Sequence, residues 1–344
     1  MITPPSAWPF AAIFAVIAVA AAVLCALFIV LLRPLLVRYA LARPNARSSH
    51  REPTPQGGGI AVIAAMVVVM VGIAVGAPAL LGDVSRMALV FVAVIGLAVV
   101  GAVDDVRPMD ALPRLAAQAV AALVVVLVLP AGLQIFPALP LWLERALMLI
   151  GALWFVNLVN FMDGIDWITV AEVVPVTAAL AAIGVIGGLP SDATIIALAL
   201  LGATLGFAPF NRPVAKLFLG DVGSLPIGLL LAWLLILLAG NGFIIAAILL
   251  PLYYIADATI TLLRRTVAGE SIMQAHRSHF YQRATDGGFS VIEIVARIFG
   301  ANIVLALLAI STLVTPSREL HIGALAAGCL LVGVLLLRFA RGKN

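Results

Sequence analysis

The sequence predicts an all-α fold: a polytopic integral membrane protein of about 11 transmembrane helices, with the N-terminus outside and the C-terminus cytoplasmic. Three observations predict it. Hydrophobic residues make up 64% of the 344-residue chain, and the mean hydropathy is +1.21. Charged residues make up only 10%, against about 25% in a soluble domain. Long apolar runs alternate with short segments that hold nearly all the basic residues.

A helical crossing needs about 20 mainly apolar residues, and the runs that qualify are 8–32, 57–81, 87–103, 114–136, 142–159, 169–189, 193–210, 224–239, 243–263, 290–313 and 322–339. The first is too long for a signal-peptide core and has no basic stretch before it, so it is expected to remain as a span. The second opens on Gly57-Gly58-Gly59 after Pro53-Thr54-Pro55, and the third ends at Asp104-Asp105. Pro108 and Pro113 break the connection to the fourth, and the fifth runs into the polar series Asn157 to Asp166. The sixth follows Trp167, the seventh stops before Asn211-Arg212-Pro213, and the eighth starts just after Asp221. Arg264-Arg265 closes the ninth, Gly287-Gly288 precedes the tenth, and Arg338 closes the eleventh. The period-two alternation of a membrane barrel is absent from the sequence.

Orientation follows from the basic residues, which collect in cytoplasmic loops. With eleven spans, sixteen of the twenty Lys and Arg residues fall on one side, and only Arg86, Arg145 and Arg318 fall on the other, with Arg297 inside a span. The net charge of +4 therefore reads as topology. No aromatic-basic stripe or basic tail points to nucleic acid. Cys25 and Cys329 both lie in expected spans, so neither a disulfide framework nor a Cys-based metal site is implied. Residues 1–344 are read as one integral domain, its cytoplasmic face built from loops 33–56, 104–114, 160–168, 211–223 and 264–289.

The acidic residues are few, and the densest groups sit where spans end: Asp104-Asp105, Asp163 with Asp166, and Asp221. Carboxylates at a membrane boundary are costly unless they serve a cation or a reaction. Asp104-Asp105 is a like-charge pair that suits a divalent cation, although a solvated loop that merely stops the span would look the same. Asn157, Asn160, Asp163 and Asp166 recur every three residues, so they line one edge of span 5 if it extends helically. Such a stripe suits a ribose, a base or a phosphate, or a helix terminus capping its own backbone. In the segment from Asn211 through Lys216 and Phe218 to Ser224, Asp221 stands among glycines that let backbone approach a phosphate. The glycines opening span 2 after His50 read as the same device or as packing. No glycine-rich run precedes a Lys-Ser/Thr pair, which excludes a nucleotide P-loop. His276 and His279 are the one histidine cluster; without Cys or carboxylate ligands nearby in sequence they suit phosphate oxygens better than zinc.

Taken together and in this order, the motifs resemble the polyprenyl-phosphate N-acetylhexosamine-1-phosphate transferases of glycosyltransferase family 4. The resemblance covers nearly the whole chain. It is carried by His50 with Pro53-Thr54-Pro55 and the glycine run, Asp104-Asp105, Asn157 to Asp166, Asn211 to Ser224, and His276 to His279. Ser48-Ser49-His50 and the segment from His276 to Arg283 look closest to the enzymes that start O-antigen or related surface glycans.

The resemblance implies Asp221 as the principal Mg²⁺ ligand with Asn160 joining it as a second ligand, Mn²⁺ being a substitute. It implies Asn211, Phe218 and Asp163 as uridine-nucleotide contacts, Asp104 as the carboxylate at the lipid phosphate, and Asp105 as its companion. Arg114 falls where eukaryotic relatives carry a catalytic lysine, and Asp257 also matches a family position. His50, Asn157, Asp166, Lys216, His276 and His279 complete the implied substrate contacts. Trp167 replaces a usual glycine, Ser278 a usual histidine, and Gln56 a frequent basic residue. The implied reaction moves an N-acetylhexosamine-1-phosphate from a UDP-sugar to undecaprenyl phosphate, with UMP leaving, at the cytoplasmic face of a bacterial inner membrane. The partners are these two substrates and the lipid bilayer, without nucleic acid, and the family leaves room for a homodimer. The phospho-N-acetylmuramoyl-pentapeptide transferase reading stays open beside it. A secondary transporter would instead place its polar groups near the bilayer midplane.

Overall fold

The computed structural model describes residues 8–42, 53–270, 277–315 and 317–343. His50 and His276 lie outside the described residues. The chain is a bundle of α-helices: α1 Trp8–Tyr39, α2 Gly58–Gly76, α3 Val84–Val106, α4 Ala111–Leu127, α5 Leu141–Met162 and α6 Ile168–Val185. It continues with α7 Ser191–Phe207, α8 Asp221–Gly240, α9 Ile244–Leu249, α10 Leu252–Val267, α11 Phe280–Asp286, α12 Val291–Val314 and α13 Arg318–Arg341. Strands β1 Leu41–Ala42 and β2 Thr54–Pro55 pair antiparallel, Leu41 opposite Pro55.

Every apolar run expected to cross a membrane contains a helix or a helix pair, although α4 stops at Leu127, well short of the end of run 114–136. Eight helices are long and apolar enough to cross by length and composition, while Ala111–Leu127 and Ser191–Phe207 are shorter apolar helices. This is a polytopic, all-α membrane protein. Three expectations need correction. Run 243–263 is not one helix: it divides into α9 and α10 at Pro251, since proline has no N–H to donate and its ring clashes with the preceding turn. Loop 264–289 holds the short helix α11. Helix α1 continues past residue 32 to Tyr39, through Pro34.

Helix α8 is the centre of the bundle. Its apolar window is 94% buried, against 22% for α1 and for α13, and it packs against α3 and α5. Glycines set the closeness of that packing at one end. A Cβ on Gly59 would lie 2.2 Å from Gly223 Cα, and one on Gly101 would lie 2.4 Å from the Asp221 carbonyl carbon. Neither position has room for a side chain, so α2 and α3 meet the first turn of α8 backbone to backbone. The glycines that open α2 thus serve close packing.

Capping fixes the helix starts. Asp83 accepts the Arg86 N–H at 3.0 Å at the start of α3. At the start of α12, Ser290 and Glu293 exchange bonds, the Glu293 carboxylate accepting the Ser290 N–H at 2.9 Å. These bonds satisfy donors that the first turn of a helix leaves open.

Candidate active site

Asp104 lies in the last turn of α3, Arg114 in the first turn of α4, Asn160 near the end of α5, and Asp221 is the first residue of α8. The bundle brings all four together. Arg114 Nη1 donates to Asp104 Oδ2 at 2.6 Å and lies 3.5 Å from Asp221 Oδ2. Asp104 Oδ1 accepts the Met109 N–H at 2.6 Å. The Asp104 and Asp221 carboxyls also interact directly. Asn160 Nδ2 donates to Asp221 Oδ1 at 2.8 Å and to the buried Ser224 Oγ at 2.9 Å. Two carboxylates from distant segments therefore face one guanidinium and one amide.

Asp105 points elsewhere. Its carboxylate accepts the Asp221 N–H at 2.8 Å, the Val222 N–H at 3.1 Å and the Gln56 side-chain amide. It caps the first turn of α8 from another helix, because Asp221 itself is helical and Gly220 before it has no side chain to cap with. This contact seats the Asp221 backbone.

The stripe expected along α5 breaks after Asn160. Helix α5 ends at Met162, and Asp163 turns out of it with φ −84° and ψ 53°, where Gly164 packs beneath the Tyr281 hydroxyl. A continued helix would have put a turn where Tyr281 stands. Asn157 is one turn back, donating to the buried Gln118 Oε1 at 2.7 Å and to Leu153 O at 2.8 Å. Asp163 is half-buried and accepts the Thr169 hydroxyl. Burial pushes its carboxyl up to about 7, with repulsion from Asp105 and Asp166 adding to the shift and the Thr169 bond opposing it.

Segment 208–220 is tied to segment 163–167 by bonds to backbone. Asp166 Oδ2 accepts the Ala215 N–H at 2.9 Å. Asn211 Oδ1 accepts the Trp167 N–H at 2.8 Å, while Asn211 Nδ2 donates to Leu217 O at 3.0 Å. Trp167 Nε1 donates to Ala208 O at 2.6 Å. Trp167 has φ 64°, the one positive φ on a non-glycine residue among those described, so an unfavoured conformation is held here by two bonds, to Asn211 and to Ala208. Phe218 is half-buried, and its backbone is threaded between Pro55 O at 2.8 Å and the N–H groups of Gly57 and Gly58 at 3.2 and 2.8 Å. Lys216 is exposed on the same segment.

Asp257, in α10, is fully buried and organises α11. Its oxygens accept the Phe280 N–H at 2.9 Å, the Tyr281 N–H at 3.1 Å, the Tyr253 hydroxyl at 3.1 Å and the Thr261 hydroxyl at 3.3 Å. His279 Nδ1 lies 3.2 Å from the same carboxylate. The His279 ring stacks on Tyr281, with centroids 5.7 Å apart, and Tyr281 donates to Phe161 O at 3.1 Å. The histidine is thus the buried N-cap of α11, packed beneath the turn that carries Asp163.

Sequence reasoning missed Ser224, Gln118, Tyr281 and the bond from the Gln56 amide to Asp105. Only Ser224 carried a signal, one turn after Asp221. Among the described residues no three His, Cys, Asp or Glu side chains are grouped as a ready-made cation cage. Asp104 and Asp221 are the two carboxylates that share Arg114.

Comparison with known proteins identifies the family. The family model described as glycosyl transferase family 4 matches residues 87–239, which include Asp104, Arg114, Asn160 and Asp221. The chain is 30% identical over 300 residues, 76% of its length and 72% of the relative's, to a decaprenyl-phosphate N-acetylglucosaminephosphotransferase of Mycobacterium tuberculosis. It is 25% identical over 311 residues, 83% of each chain, to a probable undecaprenyl-phosphate N-acetylglucosaminyl 1-phosphate transferase of Bacillus subtilis. A phospho-N-acetylmuramoyl-pentapeptide-transferase of Shouchella clausii is 31% identical over 227 residues, 61% of this chain and 69% of that one. By the family match and by this extended similarity, the chain belongs to glycosyl transferase family 4, the polyprenyl-phosphate sugar-phosphate transferases.

Proposed function

We propose that this protein transfers an N-acetylhexosamine-1-phosphate from a UDP-sugar to undecaprenyl phosphate, with release of UMP, as the first membrane step of O-antigen or another surface glycan. The observation that carries the reading is the convergence of Asp104, Arg114, Asn160 and Asp221 at the end of the bundle where their helices begin or stop. That is where a lipid phosphate and a water-soluble nucleotide can meet.

The donor set fits Mg²⁺. Its ligands are hard oxygens, and it is commonly held by one or two carboxylates plus substrate phosphates; Asp221 and Asp104 are such a pair, with Asn160 orienting Asp221 through its amide N–H. Bound there, the ion would spread the charge that develops on the pyrophosphate oxygens. Arg114 bridges the two carboxylates and supplies the fixed positive charge toward which an attacking phosphate is drawn. A phosphate monoester with a second pKa of about 6 is mostly dianionic at neutral pH. Asp104 therefore holds Arg114 and the lipid phosphate in line, and positioning dominates over proton removal. Asp105 seats Asp221, and the bonds of Asp166, Trp167 and Asn211 hold Phe218 in place for the nucleotide.

The chain crosses the membrane eleven times in this reading, α9 and α10 together forming one crossing. The N-terminus is outside, and the site faces the cytoplasm of the inner membrane. Residues 1–344 act as one domain. Purified protein with undecaprenyl phosphate, Mg²⁺ and a panel of UDP-sugars, scored for UMP release, tests the function. Release with a UDP-N-acetylhexosamine supports it. Release with the UDP-muramoyl-pentapeptide alone would assign the peptidoglycan reaction instead, and no release with any sugar would sink both.

A further inference from the structure

Helix α6 carries a glutamate inside the bundle. Glu172 is 1% exposed and lies on a candidate membrane span, as does Asn302 of α12, also 1% exposed. Asn302 Nδ2 donates to Glu172 Oε2 at 2.6 Å and to Ala171 O at 3.0 Å, so both amide hydrogens are used. The remaining oxygen of each group, Glu172 Oε1 and Asn302 Oδ1, is buried without a hydrogen-bond partner. Among the described residues Asn302 is the one hydrogen-bond partner of Glu172, and no basic side chain is paired with it.

An ionised carboxylate in such a place has a single amide to offset its desolvation, and a buried acid so situated takes up a proton instead. One proton also satisfies both leftover oxygens. A protonated carboxyl offers one O–H donor and an amide oxygen is an acceptor, so the two planar groups can close a ring of two bonds, N–H to one carboxyl oxygen and O–H to the amide oxygen. The first bond of that ring is present at 2.6 Å. The atoms left over are two acceptors, which only a hydrogen between them can join. A metal cation would ask for about six oxygen ligands, and these are two. The titratable groups about Glu172 are Tyr253 and Tyr254 of α10. Those of the other helices packed on α6 stand elsewhere: Asp192 in the first turn of α7, and Glu293 with Arg297 and Glu144 with Arg145 in the first two turns of α12 and α5.

The pair has a mechanical connection to the candidate site. Thr169, one turn before Glu172 on the same face of α6, donates to Asp163. Trp167, immediately ahead of α6, donates its N–H to Asn211 and its indole N–H to Ala208. Fixing α6 on α12 therefore fixes the anchor of both the Asp163 turn and the segment that bears Phe218.

We infer that Glu172 is a neutral acid whose proton bridges to Asn302 Oδ1, and that the closed pair positions the nucleotide side of the site through Thr169 and Trp167. The positioning role rests on the transferase reading proposed above; the pairing itself does not.

Glu172→Gln is the isostere of the neutral acid, since its amide N–H can donate to Asn302 Oδ1 while its oxygen accepts from Asn302 Nδ2. This variant is expected to keep the parent's kcat and its KM for the UDP-sugar. Asn302→Leu, which leaves the acid without a partner, is expected to raise that KM on the order of tenfold, the scale of one unpartnered buried group. Raising the pH ionises Glu172, so the parent's KM should climb at alkaline pH by a component that Glu172→Gln lacks; Asp163, pushed up to about 7, titrates in both proteins and cancels in the comparison. Infrared difference spectra of the parent against Glu172→Gln should show one protonated-carboxyl stretch, with no substrate present. A Glu172→Gln variant that misfolds or is impaired as Asn302→Leu is, an infrared difference without the acid band, or an alkaline dependence identical in the two proteins overturns the proposal. So does an alkaline component removed by Tyr254→Phe, which would give the proton to the tyrosine, or a Na⁺ requirement lost in Glu172→Gln, which would put a cation between the oxygens. If the parent releases no UMP with any sugar, the transferase reading fails by itself, and the infrared difference still decides the pairing.

Discussion

The Asp105 carboxylate accepts the Asp221 N–H at 2.8 Å across 116 positions of sequence. One member of the acidic pair on α3 thus builds the start of α8, and the other faces the side chain of the residue so placed. The division follows from helix geometry. Adjacent residues on a helix point about 100° apart, so Asp104 and Asp105 cannot both face Arg114.

Because α3 and α8 touch backbone to backbone at this point, Gly101→Ala should displace Asp221. Its Cβ would lie 2.4 Å from the Asp221 carbonyl oxygen. Displacement on the order of 1 Å can cost ~10²-fold in rate, so turnover should fall steeply while the helical content stays unchanged. Gly96→Ala is the control, since nothing lies within 4 Å of a Cβ there. Equal activity of the two variants would refute the close-contact argument.

Removing the charge at Asp221 tests the metal. Asp221→Asn keeps the size of the side chain and can still bond Asn160, so the protein should fold. Transfer should drop by more than ~10²-fold, the scale of losing one major electrostatic contact to a transition state. Initial rates over a range of Mg²⁺ concentrations measure it. Near-normal turnover at ordinary Mg²⁺ would reassign the ligand.

Asp257 serves a different purpose, and its loss should show first in α11. Asp257→Ala strips the acceptor from the Phe280 and Tyr281 N–H groups and from two hydroxyls. Each buried donor left without a partner costs about 1–3 kcal/mol. Limited trypsin digestion should then cut faster at Arg277 and Arg283, and activity should fall because Tyr281 supports the turn at Phe161 to Gly164. Unchanged cleavage would mean that α11 is held by something other than this carboxylate.

What the sequence made legible was whatever composition and local spacing determine. The apolar runs are unmistakable because a helix in lipid must be apolar along its length, and Asp104, Asn160 and Asp221 stand out because polar side chains are rare there. Contacts between segments were not legible. Asp105 reads like a second catalytic carboxylate until α8 is seen to lie under it, and Asp257 looks like a buried acid without a partner until α11 docks. The stripe from Asn157 to Asp166 misleads because its period is helical, while Gly164 and the Tyr281 hydroxyl beneath it end the helix. Trp167 sits at positive φ against its own preference because Asn211 and Ala208, more than forty residues away, hold it.

The orientation proposed from the basic residues is open to direct labelling. With Cys25 and Cys329 removed, single cysteines at Gly82, Ser191 and Asn241 should react with an impermeant thiol reagent added outside intact cells. All three positions lie next to helix ends away from Asp104 and Asp221 in the chain order. Labelling only after the cells are opened would reverse the topology.

The two substrates should separate by residue. Phe218 is fixed through its backbone to Pro55, Gly57 and Gly58, so those bonds do not depend on its ring, whereas Asp104 is committed to Arg114 and Met109. Phe218→Ala should weaken UDP-sugar binding by ~1–3 kcal/mol, the scale of base–aromatic stacking, with the backbone bonds of the segment intact. Asn211→Ala should weaken it as well, but by loosening the segment, because both ends of the Asn211 amide are already bonded to backbone. Asp104→Ala should instead depress turnover with little change in nucleotide affinity, since Arg114 would lose its 2.6 Å partner and lean toward Asp221. Calorimetry with the UDP-sugar alongside initial rates resolves the three variants. If Asp104→Ala lost nucleotide binding while Phe218→Ala kept it, the two substrates would occupy the opposite halves of the pocket.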